Sequence, residues 1–116
     1  MASPELKLFT EQIDNVTVVT VNGPVDSATI EQFRSYLDPL SQKNNTYILL
    51  DCENLTYINS RGLGLLAKWH RSCFGHLGWF GLCKVNRKLV RTMDLLGLGT
   101  LLKFYESRDD ALASKP

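Results

Sequence analysis

The sequence predicts an α/β domain: a mixed, mainly parallel β-sheet of about five strands with four helices. Three observations lead there. Short apolar runs of strand character alternate with longer stretches whose apolar residues recur at helical spacing, in the order β-β-α-β-α-β-α-β-α. The run Tyr47-Ile48-Leu49-Leu50 is apolar without alternation, as expected of a central strand covered on both faces. Strands separated by helical crossovers pair in parallel with right-handed connections, so only the first strand, joined to the second by a short turn, is placed antiparallel.

Residues 6–12 and 16–21 form the first two strands around an Asp14-Asn15 turn. The second is rich in valine and threonine, which suits a pleated, half-buried surface, and Gly23-Pro24 is expected to break it. Asp26 or Ser27 can cap a first helix carrying Ile30, Phe33, Leu37 and Leu40, with Pro39 kinking or ending its last turn. After an Asn44-Asn45 turn comes the central strand, residues 47–52. A second helix, residues 61–74, carries Leu63, Leu66, Ala67, His70 and Phe74 on one face and is punctuated by Gly75 and Gly78. Residues 77–83 make another strand. Asn86 caps a third helix that gathers Leu89, Val90, Met93 and Leu96, opposite a basic stripe of Arg87, Lys88 and Arg91, and Gly97 ends it. Residues 101–105 form the last strand, and Ser107 with Asp110 gives a capping-box variant for a short final helix, residues 108–113.

With 116 residues, 44% hydrophobic and 22% charged, the chain reads as one soluble globular domain over 1–116, with 1–4 and 114–116 as flexible ends. A net charge of +1 gives no general pull toward nucleic acid or membrane. No apolar run is long enough to span a bilayer, and Met1-Ala2-Ser3-Pro4-Glu5 lacks the basic and apolar regions of a secretory signal, so a cytoplasmic protein is expected. Cys52, Cys73 and Cys83 are odd in number and lack a CxxC pair, which reads as reduced core thiols. The glycosylation-type triplets at Asn15, Asn44 and Asn54 are then coincidental.

Ligands and partners of open parallel sheets are met at the carboxyl ends of the strands. Those ends lead into residues 22–26, 52–60 and 84–86, so Asp26 and Ser60 are expected on one rim. Ser60 stands between a strand and a helix, at the expected N-cap, in an electropositive place. Gly62 and Gly64 keep the first helical turn bare, open to another protein's backbone or a phosphate. Ser60 is either a quiet cap or a switch.

These rim motifs resemble the STAS domain of bacterial anti-sigma-factor antagonists. The resemblance rests on Gly23-Pro24-Val25-Asp26 after the second strand and on Asn59-Ser60-Arg61-Gly62-Leu63-Gly64 after an apolar strand ending in Asp51. Leu96-Gly97-Leu98 follows in register, and the similarity covers nearly the full length. It implies a phosphorylation-controlled partner switch. Ser60 is then the phosphorylation site of an anti-sigma factor that is itself a serine kinase, and a metal-dependent serine phosphatase reverses the modification. The unmodified antagonist binds the kinase and frees the sigma factor; Asp26 helps engage the kinase. The chain is thus a substrate and a ligand, not an enzyme, needing no cofactor or metal and monomeric when free. The family's acid before the serine is Asn59 here, and Arg61 follows the serine, placed to pair with a phosphate. A differential affinity of ~3–5 kcal/mol makes such a switch nearly complete.

The partner-binding candidates are therefore Asp26, Asn59, Ser60, Arg61 and Gly62, with Leu65 and Trp69 on the flank of the second helix as core edge or as a partner-facing anchor. The rival reading keeps the same fold as a ligand-sensing or accessory module, binding a nucleotide or lipid or serving a transporter ATPase without phosphorylation. The basic stripe reads as a solvated face rather than a nucleic-acid surface. His70 and His76 have no metal-ligand companion, the cysteines have no base, and no phosphate-cradling GxxxxGK motif is present.

Overall fold

The computed structural model describes residues 5–116 of the chain. The chain opens with a hairpin, β1 (Lys7–Ile13) and β2 (Val16–Val25), antiparallel across Asp14 and Asn15. Then come α1 (Ile30–Ser41), β3 (Tyr47–Asp51), β4 (Leu55–Ile58) and α2 (Ser60–Gly75). β5 (Trp79–Cys83), α3 (Arg87–Leu95), a 3-10 turn at Leu98–Thr100, β6 (Phe104–Tyr105) and α4 (Arg108–Ser114) complete it. Residues 1–4, expected to be flexible, lie outside the described residues; Ser114, in the other terminal segment, is the last residue of α4.

The sheet runs β1-β2-β3-β5-β6, parallel after the hairpin, and β4 pairs only with the end of β2. Because the parallel strands follow one another in a single direction, right-handed crossovers put α1, α2 and α3 on the same face. That face carries the main core, with Ile48, Leu50, Phe80 and Leu82 of the sheet against Phe33, Leu66, Trp69 and Met93. The opposite face is smaller: Val18, Leu49, Trp79 and Cys83 lie under Ala111 and Leu112 of α4. Successive residues of β3 thus feed two different cores, which is why that strand reads as continuously apolar. Each fully buried leucine here contributes about 1.5–3 kcal/mol. The radius of gyration, 13.2 Å, is that of a single compact domain. Among the described residues, no helix is long and apolar enough to cross a membrane.

Several expectations are corrected. β2 does not stop at Val21 but continues through Gly23-Pro24 to Val25, with its register shifting between those two residues. Gly23 sits at φ 109° with the Glu5 carbonyl where a Cβ would be, so the strand bends there instead of ending. Beyond the bend β2 leaves β3 and pairs with β4, an additional strand within residues 52–60, where the sequence pattern predicts none. Pro39 neither ends nor splits α1, which runs on to Ser41, because the carbonyl it leaves without a donor, that of Ser35 four residues back, belongs to an exposed residue where water can satisfy it. On α2 the buried face is rotated: Trp69 and Cys73 are sealed and Phe74 is exposed. Leu96 is likewise exposed, standing one residue past the end of α3. The last strand shrinks to two residues because the Leu101 and Leu102 N–H groups turn back onto the Leu98 carbonyl, continuing the 3-10 turn of Leu98–Thr100. All three cysteines are free and buried. Burial pushes the Cys73 and Cys83 thiols up to about 11, and Cys52 higher still, so none is a nucleophile at neutral pH.

Candidate functional site

Two strand exits lie side by side. Val25 at the end of β2 is paired with Ile58 at the end of β4, and Asn59 N–H donates to the Val25 carbonyl at 3.0 Å. Asp26 therefore leaves one strand beside Asn59 and Ser60 leaving the other, on the rim where they were expected together.

Asp26 organises its own side of that rim. Its Oδ1 accepts from the N–H groups of Ala28 (2.9 Å) and Thr29 (3.1 Å), holding the turn before α1. Thr29 Oγ1 accepts from the Asp26 N–H at 2.9 Å and donates to the Pro24 carbonyl at 2.8 Å. Thr29, not Asp26 or Ser27, occupies the N-cap of α1, without a side-chain cap bond; Asp26 braces the turn that leads into it.

Ser60 is not the N-cap of α2. Asn59 takes that position in an extended conformation (φ −85°, ψ 176°), and its Oδ1 accepts from Gly62 N–H at 2.9 Å. Ser60 becomes the first helical residue, exposed, its hydroxyl without a hydrogen-bond partner among the described residues. The first intrahelical bond runs from Leu63 N–H to the Asn59 carbonyl, so the Ser60 and Arg61 N–H groups point out of the helix end unpaired. No base is bonded to Ser60. The geometry presents the hydroxyl; it does not activate it.

The neighbours of Ser60 divide by where they face. Arg61 is exposed, its Nη2 3.4 Å from Glu31 Oε1 on α1. Glu31 is shared with Arg34, whose bond and charge, followed by those of Arg61, hold its carboxyl below the usual range. Leu65, half-buried, lines a shallow groove with Ile30, Arg34 and Arg61. Gly64 is exposed with nothing near its missing Cβ.

Two candidates face the other way. Gly62 is buried, and a Cβ there would lie 2.6 Å from Ile58 Cγ1 and 3.0 Å from Val25 Cγ1. It lets α2 settle onto the ends of β2 and β4, rather than baring the turn to a partner. Trp69 is 0% exposed, edge-on to Phe33 with centroids 4.9 Å apart, its indole N–H donating to Asp38 Oδ1 at 2.7 Å. It cannot meet a partner; it fastens α2 to α1. Burial raises the Asp38 carboxyl, but Trp69, Lys68 and Arg34 together hold it below its ordinary value. His70 is buried against Phe74 with Nδ1 unpartnered, and burial, then Lys103 and Arg71, keep the ring below its usual value. The contacts that the sequence did not disclose are Glu31 opposite Arg61 and the Val25–Asn59 bond; a glutamate in the first turn of the neighbouring helix was the visible trace of the first.

The sequence matches the family described as STAS domain over residues 7–111. An anti-sigma F factor antagonist of Paenibacillus polymyxa is 27% identical over 108 residues, covering 92% of both chains. The crystal structure of an anti-sigma factor antagonist from Mycobacterium paratuberculosis superposes with a TM-score of 0.84 at 24% identity, covering 96% of this chain and 94% of that one. The Bacillus cell fate determinant SpoIIAA in its phosphorylated form gives a TM-score of 0.68 at 18% identity, covering 92% and 97%. At these identities the two structures speak for the fold alone.

Proposed function

The chain belongs to the STAS domain family, and on that premise we propose that it is an anti-sigma-factor antagonist switched between partners by phosphorylation of Ser60. The unmodified rim, Asp26 with Asn59, Ser60, Arg61 and the flanking Leu65, binds an anti-sigma factor that is itself a serine kinase, and so releases a sigma factor. The kinase then transfers a phosphoryl group to the Ser60 hydroxyl and lets go; a metal-dependent serine phosphatase resets the rim. The chain supplies a substrate and a ligand rather than a catalyst, and acts in the cytoplasm as a monomer between partners.

The observation that carries this reading is the exposed Ser60 hydroxyl, relieved of capping by Asn59. A phosphate there adds about −1.5 to −2 charge beside unpaired N–H groups and the positive end of α2, so this protein tolerates it. A partner packed against that spot does not, because it must accommodate a desolvated dianion. The name of the Paenibacillus polymyxa relative supports the antagonist part of this reading. Asn59 fits the scheme too: the amide caps as well as a carboxylate does.

The test is capture from source lysate with Ser60→Ala and Ser60→Glu baits, partners and Ser60 phosphate being read by mass spectrometry. The alanine bait retains a serine-kinase anti-sigma factor, and the glutamate bait binds it about 100-fold more weakly, or about 2.8 kcal/mol. Equal capture of that kinase by both baits, or none by either, overturns the proposal.

A further inference from the structure

At the other end of the same rim, β5, β6 and α3 enclose an open groove of about 550 Å³ that the phosphorylation scheme does not use. That is the size range of small-molecule sites. Val85, Val90 and Phe104, all half-buried, give it an apolar floor, while Lys84, Arg87 and Arg91 stand around it. Its cations are unevenly compensated. Lys84 Nζ lies 3.3 Å from Glu53 Oε2, but Arg87 and Arg91, one helical turn apart, make no ion pair among the described residues. Two acids, Asp94 and Glu106, also line the groove, so its lining carries three cations against two carboxylates, but neither acid is paired with Arg87 or Arg91 among the described residues, and Asp94 Oδ1 lies against Gly99. Lys84 itself holds a left-handed backbone (φ 59°) at the exit of β5. Glycine would take that conformation without strain, so a lysine there keeps a long cationic side chain at the mouth of the groove at a conformational cost.

We infer that this groove binds a small, water-soluble organic phosphate monoester with an aromatic or compact apolar body. The two free guanidinium groups match a dianionic head better than a single carboxylate, since each Arg fork can hold phosphate oxygens. The body lies on Phe104, Val85 and Val90, whose exposed parts are otherwise in water. This assignment stands apart from the Ser60 switch, and neither depends on the other.

The probe is phenyl phosphate, titrated into the 15N-labelled full chain and followed by amide shifts. Shifts are expected at residues 84–91 and 104–106, with inorganic phosphate and benzyl alcohol each binding about tenfold more weakly and benzoate falling between. Arg87→Ala with Arg91→Ala, both exposed and unpaired, keeps the fold and weakens phenyl phosphate about tenfold or more. Val90→Glu, which puts a carboxylate on the floor, abolishes it, while Ser60→Ala leaves it unchanged. The inference is overturned if millimolar phenyl phosphate shifts none of these amides, or if inorganic phosphate matches it. Indifference of the double arginine variant to phenyl phosphate overturns it equally.

Discussion

Ser60 and Ser107 occupy the same kind of place, where the chain leaves a strand and enters a helix, yet their hydroxyls are used in opposite ways. Ser107 is the N-cap of α4: it is extended, and its Oγ accepts from Asp110 N–H at 3.0 Å. Ser60 stands one residue further along, because Asn59 has taken the cap of α2, and its hydroxyl is left to solvent. The α4 end is locked further. Arg108 Nε donates to Asp51 Oδ2 at 2.7 Å, and its other nitrogens reach Glu11 and Thr20, so one side chain ties α4 to three strands. Among the described residues the α2 end has nothing comparable; Arg61 has a single exposed ion-pair contact there, with Glu31 at 3.4 Å. One helix start is closed with its own side chains. The other is capped just enough to fold, and its remaining polar groups face outward.

The comparison is broken most forcefully at the closed end. Asp51 is almost wholly buried and accepts from both Arg108 and the Glu53 N–H, so Asp51→Ala leaves a half-buried guanidinium with Glu11 as its one remaining carboxylate and strands a backbone donor. It is expected to cost about 3 kcal/mol, measured by urea denaturation. The next effects compare the two helix starts directly. Asn59→Ala and Ser107→Ala each remove a cap and are expected to cost about 1 kcal/mol, whereas Ser60→Ala changes stability by less than about 0.5 kcal/mol. If Ser60→Ala proves as costly as Ser107→Ala, the hydroxyl has a structural duty and is not free for modification.

Much of this contrast was legible in the sequence, and what was not has identifiable causes. Apart from β4, the order of elements follows from local pattern and appears as expected, as do the central strand and the caps at Asn86 and Ser107. The cap at α2 was misplaced by one residue because Asn59 and Ser60 are both good caps; only Gly62 N–H, in three dimensions, decides between them. β4 escaped notice because its four residues bury only the two ends and pair only with the bent tail of β2. An apolar stripe anchored on Phe74 puts Trp69 on the helix flank, as core edge or partner-facing anchor, and its full burial rules out the anchor. The buried set Gly62, Leu66, Trp69 and Cys73 has equally good helical spacing, and the choice was settled by Phe33 and Asp38 on α1. The shared rim of Asp26 and Ser60 could be read from topology, whereas Arg61 meeting Glu31 required the packing of two helices.

The smallest expected gain in stability is the most discriminating. A negative charge at the first position of α2 faces unpaired N–H groups and the positive end of the helix dipole, with Arg61 adjacent. Ser60→Glu should therefore stabilise the isolated protein by about 0.3–1 kcal/mol at low ionic strength, and most of that gain should vanish in about 1 M salt. Thermal melts of the wild type and the variant at the two salt concentrations measure it. The sign matters more than the size. A charge that weakens kinase binding while leaving the fold firmer acts by excluding the partner from an intact surface. A charge that weakens binding by loosening the start of α2 would lower the melting temperature instead, and Ser60 would then resemble Ser107, a residue whose environment was built around an uncharged oxygen.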